Sequence, residues 1–454
     1  MNASPSDETG IDGRLSRMLG CRPAELRPAL WAFAYFFCLL AGYYVIRPLR
    51  DEMGVRGGVD QLQWLFTGTF VVMLIAVPVF GALTARYARR RFLPAVYLFF
   101  IANMLIFWLA LRGDIGGVVT ARAFFIWASV FNLFVVSVFW SLMADLFDRR
   151  QAARLFGFVA AGGSTGAIAG PAMTTLLSPL LGTENLLLIS VVLFSLALFC
   201  MTRVVGTASP HISAERQAEA EQAMGGSILE GLHLVLRSRY LLGICLLMLL
   251  TTSMATFLYF QQARIVSDLF ASSEQRTTVF AAIDLAVNIT ALSLQIFGTG
   301  RLVRRMGLPA AIALVPVLMV FVFVGLGVAP VLSMLVIAQV VRRGGNYGIM
   351  RPCREMLFTV VGRRAKYKAK NFIDTVVYRG GDVVSAWVYA GLGALGLGIG
   401  QTALVAAPVA GLWAFVAWRL GRTLESHDDP SDAPGNQQSA AATEPTAASV
   451  GHKD

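Results

Sequence analysis

The stretch Leu62 to Val79 reads LQWLFTGTFVVMLIAVPV, eighteen residues without a charged side chain. About eighteen consecutive apolar residues are enough for a helix to cross the hydrocarbon core of a bilayer. Leu30 to Ile46 and Asn185 to Val205 are blocks of the same kind. Of all 454 residues, 56% are hydrophobic and only 14% are charged, against about 25% charged residues in soluble proteins. The sequence therefore predicts an all-α membrane protein with many spans, not a soluble enzyme.

Composition also argues against several other classes of protein. The formal net charge of +11 would suit nucleic-acid binding if the basic residues formed one face of a soluble domain, but here they flank the apolar blocks. The five cysteines and four histidines show no paired spacing, so we expect no disulfide framework, no metal site and no cofactor. The apolar block that follows the polar N-terminal tail is too long for a cleavable signal peptide. We expect no nucleic-acid partner.

Three polar segments divide the chain. They are an N-terminal tail (1–26), a central linker with an amphipathic helix (206–238) and a C-terminal tail (422–454) whose composition predicts disorder. At about 30 residues per helix and loop, the remainder suffices for roughly twelve spans, six in each of two bundles (27–205 and 239–421). We place the spans near residues 27–51, 60–84, 92–111, 119–145, 157–181, 184–205, 239–268, 276–299, 308–328, 330–350, 370–396 and 398–420.

Basic residues in the short loops predict the orientation. Loops on one side of the predicted spans contain nineteen arginines and lysines, nine of them between Arg342 and Lys370, whereas loops on the other side contain five. By the positive-inside rule, the more basic side is cytoplasmic. Both termini and the linker are then cytoplasmic, and we expect a multi-pass protein of the inner (cell) membrane.

A short repeat relates the two bundles. Gly81-Ala-Leu-Thr-Ala-Arg86 and Gly300-Arg-Leu-Val-Arg-Arg305 both read Gly-x-Leu-x-x-Arg, and each lies at the cytoplasmic end of the second span of its bundle. A parallel 6+6 repeat with a cytoplasmic linker resembles the major facilitator superfamily, which implies alternating access around a central cavity. The acidic residue that is usual in this loop is missing, since Ala85 and Arg304 occupy its two positions.

The first predicted span carries charges near its outer end. Tyr43, Arg47 and Arg50 are spaced i, i+4 and i+7, so they share one face of a helix. Guanidinium groups present planar forks of donors, and this pair could clamp a phosphate or a carboxylate. Alternatively, both arginines snorkel to the outer interface and pair with Asp51 and Glu52. Asp51 is also a candidate proton or gate residue.

Two further carboxylates lie within predicted spans. Asp145, at the end of the fourth span, is a candidate cavity carboxylate or gate partner, or else a helix-end aspartate that pairs with Arg149 or Arg150. Asp284 shares a helix face with Asn288 and is a candidate proton carrier, or else it is hydrogen-bonded between packed helices.

The start of the eleventh span is rich in titratable groups. Lys370, Asp374 and Tyr378 are spaced i, i+4 and i+8, which predicts one polar stripe with an internal ion pair between Lys370 and Asp374. Arg379 and Asp382 follow on the same helix, and Asp382 is a further candidate proton or gate residue. So many titratable groups at the start of an apolar helix favour a substrate site.

Three short runs resemble the ATP:ADP antiporters, nucleotide-exchange carriers that are related to the major facilitators. Tyr43 to Val55 is similar to that family's Tyr-x-x-x-Arg-x-x-Lys/Arg-Asp segment. Phe139 to Asp145 is similar to its Phe-Trp segment, which ends in an acidic residue. Lys368 to Asp374 is similar to its Lys-x-Lys-x-x-Ile-Asp run, the most specific of the three.

The resemblance implies roles for three residues. Arg50 would hold the family's basic position in the first span, Asp145 its acidic position in the fourth and Lys370 its essential lysine in the eleventh. One position departs from the pattern, because Gln261 and Gln262 stand where the family has a glutamate late in the seventh span. A relative that transports another anionic solute therefore fits as well as a nucleotide exchanger.

These observations predict a secondary transporter that moves a small anionic, nucleotide-type (ATP/ADP-like) solute by alternating access and exchange. The alternatives are a proton-coupled transporter of another small organic solute and a non-transporting subunit or sensor on the same fold. We expect a monomer in the lipid bilayer and no enzyme, since no nucleophile–base motif is visible. The predicted substrate-binding residues are Arg47, Arg50, Asp145, Lys370, Asp374, Tyr378 and Arg379.

Overall fold

The computed structural model describes residues 22–86, 89–207, 228–361, 369–370 and 372–428. Most of the two predicted tails and of the predicted linker lies outside the described residues. The linker's last part forms a short helix, Ile228–Arg237. The last helix continues to Asp428, so it passes residue 421, where we predicted the C-terminal bundle to end. The apolar periodicity of this helix continues through Leu424, which is buried, and this packing explains the extension.

The first six long helices follow one another with short connections. They are α1 (Pro23–Arg56), α2 (Leu62–Arg86), α3 (Arg89–Arg112), α4 (Gly117–Leu146), α5 (Arg149–Leu181) and α6 (Leu186–Thr207).

The start of α5 shows how the sequence sets a helix boundary. Asp148 accepts a hydrogen bond from the backbone of Gln151 (2.8 Å), and the Gln151 side chain accepts one from the backbone of Asp148 (3.0 Å). This reciprocal cap satisfies donors that the first helical turn leaves free.

Six further helices complete the fold. The helix α7 is Arg239–Leu269, and α8 starts with Ser273–Ser293 and runs on to residue 306. Gly307, at φ 77°, breaks the helical path, so α9 spans residues 308–328. Next, α10 covers residues 332–357, α11 covers residues 373–394, and α12 is Ile399–Asp428.

Helices α10 and α11 contain wide π-helical turns. These turns are Val340–Gly344 and Asn346–Met350 in α10, and Ile373–Val377 at the start of α11. Nine helical stretches of the described chain are long and apolar enough to cross a membrane, and one of them, Ser273–Val328, contains both α8 and α9. The π turns divide α10 and α11 into shorter helical pieces. Such turns are frequent at functional sites.

The buried side chains form two clusters. One contains residues of α1 and α3 to α6, from Leu26 to Val204. The other extends from Val235 to Leu424 and includes a few residues near the ends of α1, α2 and α4. Close packing of α1 against α5 depends on glycine, because a Cβ on Gly162 would lie 2.5 Å from the Phe33 carbonyl oxygen, and one on Gly170 would lie 2.6 Å from that of Ala41. The glycine-rich run of α5 (Gly162, Gly163, Gly166 and Gly170) is therefore a packing face.

The first set of helices, α1 to α6, meets the second set, α7 to α12, at one end of the molecule. Arg276, at the start of α8, binds Glu52, at the end of α1, through two hydrogen bonds of 2.6 and 2.7 Å. Nearby, the Thr183 and Thr277 hydroxyls lie 3.3 Å apart, and Trp387 donates to Thr67 at 3.1 Å. These contacts close the space between the sets of helices at this end.

Candidate substrate-binding cavity

A large cavity lies between the two sets of helices and extends toward the end opposite these contacts. Its volume is about 1200 Å³. It reaches Gly81 at the end of α2, Leu93 at the start of α3 and Arg354 late in α10. A cavity of this size is large enough for an organic solute, since small-molecule sites typically measure about 300–1,000 Å³.

Positive charge dominates the cavity. The described lining residues include seven arginines but only two carboxylates, Asp374 and Asp382. The arginines are Arg47, Arg50, Arg342, Arg343, Arg351, Arg354 and Arg379. A concave surface lined by one sign of charge attracts ligands of the opposite sign. The cavity is therefore suited to an anion.

The centre of this charge is an ion triad that joins three helices. Asp284 of α8 lies between Arg47 of α1, at 3.4 Å, and Arg343 of α10, at 2.5 Å. The side chains of Asp284 and Arg343 are 1% and 6% exposed. Buried charges require partners, and one carboxylate here neutralises at most one of the two arginines. Arg47 and Arg343 each retain a buried N–H group without a hydrogen-bond acceptor.

Arg342 adds a second cation beside the triad. Its Nη2 atom donates to the Gln339 side chain at 3.1 Å, and no carboxylate of the described residues lies within ion-pair distance. Arg342 and Arg343 were predicted to be basic residues of a cytoplasmic loop, which is wrong. Because α10 stays helical through its two π turns to Leu357, both arginines lie on a helix that faces the cavity.

Arg50 lines the cavity and is paired as predicted. It donates to Asp51 through Nε (3.0 Å) and Nη2 (2.5 Å), and the Tyr259 hydroxyl donates to the same carboxylate oxygen at 3.1 Å. The Arg50 guanidinium also lies 5.4 Å from the ring centre of Phe125. The alternative prediction that Arg47 pairs with Asp51 or Glu52 is wrong, since Arg47 reaches across to α8.

The start of α11 differs from the predicted stripe. Lys370 Nζ lies 2.6 Å from Glu355, and Asp374 lies 3.2 Å from Arg354, so the predicted Lys370–Asp374 ion pair is wrong. The π turn Ile373–Val377 widens the helix there, which disturbs the i, i+4 spacing, and the end of α10 supplies other partners. Asp374 lines the cavity.

Of the predicted site residues, Tyr378, Arg379 and Asp382 also line the cavity, whereas Lys370 and Asp145 are not among its described lining residues. Asp382 is 3.5 Å from Arg379 and accepts hydrogen bonds from Thr252 and Thr256 of α7. Asp145 is half-buried near the end of α4. Six of the ten predicted residues therefore line the cavity. Two more, Asp51 and Asp284, contact lining arginines without lining the cavity themselves.

Gln261 and Gln262, which stand where the ATP:ADP antiporters have a glutamate, are packing residues. Gln262 accepts a hydrogen bond from Gln339 of α10, and the Gln261 side chain lies 3.4 Å from Thr402 of α12. Both glutamines are buried. Gln262 and Gln339 are paired amides, whereas the buried Oε1 atom of Gln261 has no hydrogen-bond partner among the described residues. Neither glutamine is charged, so this position contributes no carboxylate to the cavity. Within the described residues, no group of three or more His, Cys, Asp or Glu side chains could hold a metal ion.

Comparisons with solved structures agree with this architecture. A bacterial homologue of the human lysosomal transporter Spinster, in an inward-facing and unoccupied conformation, superposes with a TM-score of 0.59 at 13% identity, covering 90% of this chain and 99% of the other. The nucleoside transporter NupG gives 0.57 at 15% identity, covering 89% and 99%. The human organic anion transporter MFSD10 (TETRAN) gives 0.54 at 16% identity, covering 87% and 100%. At these identities the likeness establishes the fold alone.

Sequence comparison identifies the family. No curated protein matches the chain significantly. The family model described as Major Facilitator Superfamily matches residues 31–367, which is more than half of the chain. The predicted all-α fold of the major-facilitator type is therefore confirmed, and the family and fold indicate a transporter, not an enzyme. The protein is a multi-pass membrane transporter that belongs to the Major Facilitator Superfamily.

Proposed function

We propose that this transporter moves a multiply charged organic anion across the membrane by alternating access, and that it works by exchange. The observation that carries the proposal is the excess of arginines in the cavity, seven against two lining carboxylates. The resemblance of three runs to the ATP:ADP antiporters makes a nucleotide-type solute the first candidate. Proton-coupled transport of another small solute is the alternative, and the half-buried carboxylate of Asp382 is its best support.

The charge balance favours exchange. Closing the cavity removes water from its walls, and the penalty for desolvating an ion in a protein is several kcal/mol. An empty cavity would have to close around arginines that outnumber their carboxylate partners. A bound multivalent anion supplies the missing charge. The loaded carrier is therefore expected to reorient more readily than the empty one, which is the property of an exchanger.

In this proposal, Arg47, Arg342 and Arg343 form the anion-binding centre, and Arg50 and Arg379 flank it. The two bundles predicted at residues 27–205 and 239–421 rock around this centre. Lys370 and Asp145, which the resemblance assigns to the site, stay predictions. In the conformation described here Lys370 is engaged by Glu355, and a contact with substrate would require it to exchange that partner.

We further propose that both termini are cytoplasmic and that the cavity opens to the cytoplasm. The supporting observation is the excess of basic residues in loops at the open end. A membrane-impermeant maleimide added to intact cells is expected to label Asp60→Cys, which is at the closed end, and to spare Arg86→Cys, which is at the open end. The reverse labelling pattern would contradict this orientation, and the unsubstituted protein provides the background, since its four described cysteines are buried.

The function is tested by counterflow in liposomes that contain the purified protein. Liposomes loaded with ATP, ADP, inorganic phosphate or a dicarboxylate are given the same labelled anion outside. We expect uptake with at least one of these anions, dependence on an anion inside, and persistence after the proton gradient is collapsed. Strict dependence on the proton gradient would favour the alternative, and failure of every anion would contradict the proposal.

Arg342→Gln is the most informative variant, because removing this cation leaves no described carboxylate without its partner. A charge-assisted contact is worth about 1.5–3 kcal/mol, so we expect affinity for the transported anion to fall roughly ten- to a hundredfold. Arg203→Gln removes the same charge from an exposed position on α6 and should leave affinity unchanged. Equal effects of the two variants would exclude a binding role for Arg342.

Lys370→Gln tests the substrate-binding role that the resemblance to the ATP:ADP antiporters implies for Lys370. If Lys370 contacts the anion in another conformation, its loss should weaken affinity in the same range as Arg342→Gln. If its role is confined to the ion pair with Glu355, affinity should stay within about twofold of the unsubstituted protein, since partly exposed ion pairs contribute about 0–1 kcal/mol. Expression and membrane insertion are measured in parallel, so that a folding defect is not mistaken for lost binding.

A further inference from the structure

The cavity has two chemically different walls. Helices α10 and α11 supply five of the seven lining arginines. Helix α2, which packs beside α11, contributes only apolar residues and glycine to the lining. The large members of this apolar wall are Phe66, Phe70, Met73, Leu74, Val77 and Phe80.

The apolar wall is one continuous helix face. Phe66, Phe70, Met73 and Val77 follow one another at intervals of three or four residues, which places them in a row along α2. From Phe66 to Phe80 the row is roughly 21 Å long at 1.5 Å per residue. Helix α4 adds Phe134, Val136 and Val138 to the lining, together with the polar residues Asn132, Ser137 and Ser141. The row on α2 is long enough to accommodate the apolar part of a substantial organic molecule.

The apolar wall begins beside Arg50, which flanks the anion-binding centre. The Phe66 ring lies 5.5 Å from the Tyr259 ring, and the Arg50 guanidinium lies 5.8 Å from that same ring. A ligand that binds the arginines with its charged group can therefore lay the rest of its structure along α2. A contiguous apolar surface that faces a water-accessible space marks a binding site more often than an idle one.

We infer that the substrate is an amphiphilic anion, in which a phosphate or carboxylate group binds the arginines and an alkyl or aryl body packs on the apolar wall. This inference rests on the proposed anion transport and narrows it. Leu74, Val77 and the other α2 side chains of the wall cannot form hydrogen bonds, so they offer no partner to hydroxyl groups such as those of a ribose. An alkyl or aryl body is the chemistry that this wall fits.

The test is a homologous series that changes only the apolar body. Inorganic phosphate and ethyl, butyl and hexyl phosphate share one headgroup, and a parallel carboxylate series runs from succinate to its alkyl-substituted forms. Each compound competes against the anion identified by counterflow, at concentrations below micelle formation. We expect roughly fourfold tighter inhibition for each added methylene until the wall is covered.

Two matched variants test whether the dependence on chain length arises at the apolar wall. Phe70→Ala shortens a side chain of the wall and should weaken hexyl phosphate about tenfold or more while leaving inorganic phosphate unchanged. Phe99→Ala makes the same change on α3, at a side chain that is 60% exposed and outside the described cavity lining, and should alter neither compound. If the wall only closed the cavity during transport, Phe70→Ala would change the rate for every anion alike, without any dependence on chain length.

The outcomes separate this inference from the proposed function. Inhibition that does not vary with chain length, with anion transport intact, overturns the amphiphile and leaves the anion carrier. ATP or ADP binding more tightly than every amphiphile would also overturn it, in favour of a polar anion. If no member of either series and no anion of the counterflow panel is recognised, both proposals fail.

Discussion

Asp284→Asn is expected to tighten anion binding and to slow turnover. The carboxylate is 1% exposed and lies between Arg47 and Arg343, where a substrate anion must compete with it. Without it, two buried guanidinium groups share no counter-ion, and an uncompensated buried charge costs about 3–5 kcal/mol. A bound anion removes that cost, so affinity should rise by about a hundredfold or more. Release of the anion should slow correspondingly, because Arg47 and Arg343 have no counter-ion once the anion has left.

The measurement compares equilibrium affinity in detergent with counterflow rate in liposomes. Asp114→Asn is the matched control, since its ion pair with Arg56 lies outside the described cavity lining, with the Asp114 side chain 73% exposed, and should affect binding little. If Asp284→Asn destabilises the protein, the anion should restore its thermal stability more strongly than it stabilises the unsubstituted protein. Weaker binding by a folded Asp284→Asn would contradict the counter-ion role and indicate that Asp284 holds the arginines in place for the anion.

Glu52→Gln is expected to shift the protein away from the conformation described here. Glu52 is fully buried, and its two hydrogen bonds with Arg276 join α1 to α8 at the closed end. Breaking a buried ion pair costs about 3–5 kcal/mol. If the pair is lost when this end opens, the equilibrium should move toward the open state by roughly a hundred- to a thousandfold.

Spin labels report this shift. Leu269 and Ile115 are exposed residues of different halves at the closed end, and the distance between labels there should lengthen in Glu52→Gln. The charge-swapped double variant Glu52→Arg with Arg276→Glu should restore part of the closed population. Asp60→Asn is the control, because its ion pair with Arg264 lies at the surface, with Asp60 85% exposed, and such pairs contribute little. An unchanged distance in Glu52→Gln would contradict a latch role for the pair.

Apolar block lengths predicted the helices closely because a bilayer imposes one requirement on each of them. A spanning segment must satisfy its backbone internally and present apolar side chains over a fixed thickness. The block at Leu62 to Val79 thus became α2 (Leu62–Arg86), and the block at Asn185 to Val205 became α6 (Leu186–Thr207). Where a helix ends in water this requirement lapses, and α12 accordingly passes its predicted boundary.

The candidate site was predictable only in part. Helical spacing correctly placed Arg47 and Arg50 toward one polar environment, because both lie on α1 and local periodicity is enough to relate them. It failed for Lys370 and Asp374, since a π turn alters the spacing and the end of α10 supplies competing partners. Arg342 and Arg343 were missed although they fall inside the predicted tenth span, where an arginine pair is costly and should itself have indicated a cavity.

The sequence by itself determined that the protein is a bundle of membrane-spanning helices, where most of them begin and end, and that charge is concentrated in a few spans. These properties depend on neighbours along the chain and on the surrounding lipid. Only the tertiary structure decided that Asp284 holds arginines from α1 and α10, that Lys370 is engaged by Glu355, and that α2 lines the arginine-rich cavity with apolar side chains. The physical reason is that a buried charge takes the partner that packing brings within a few ångströms, whatever their separation in sequence.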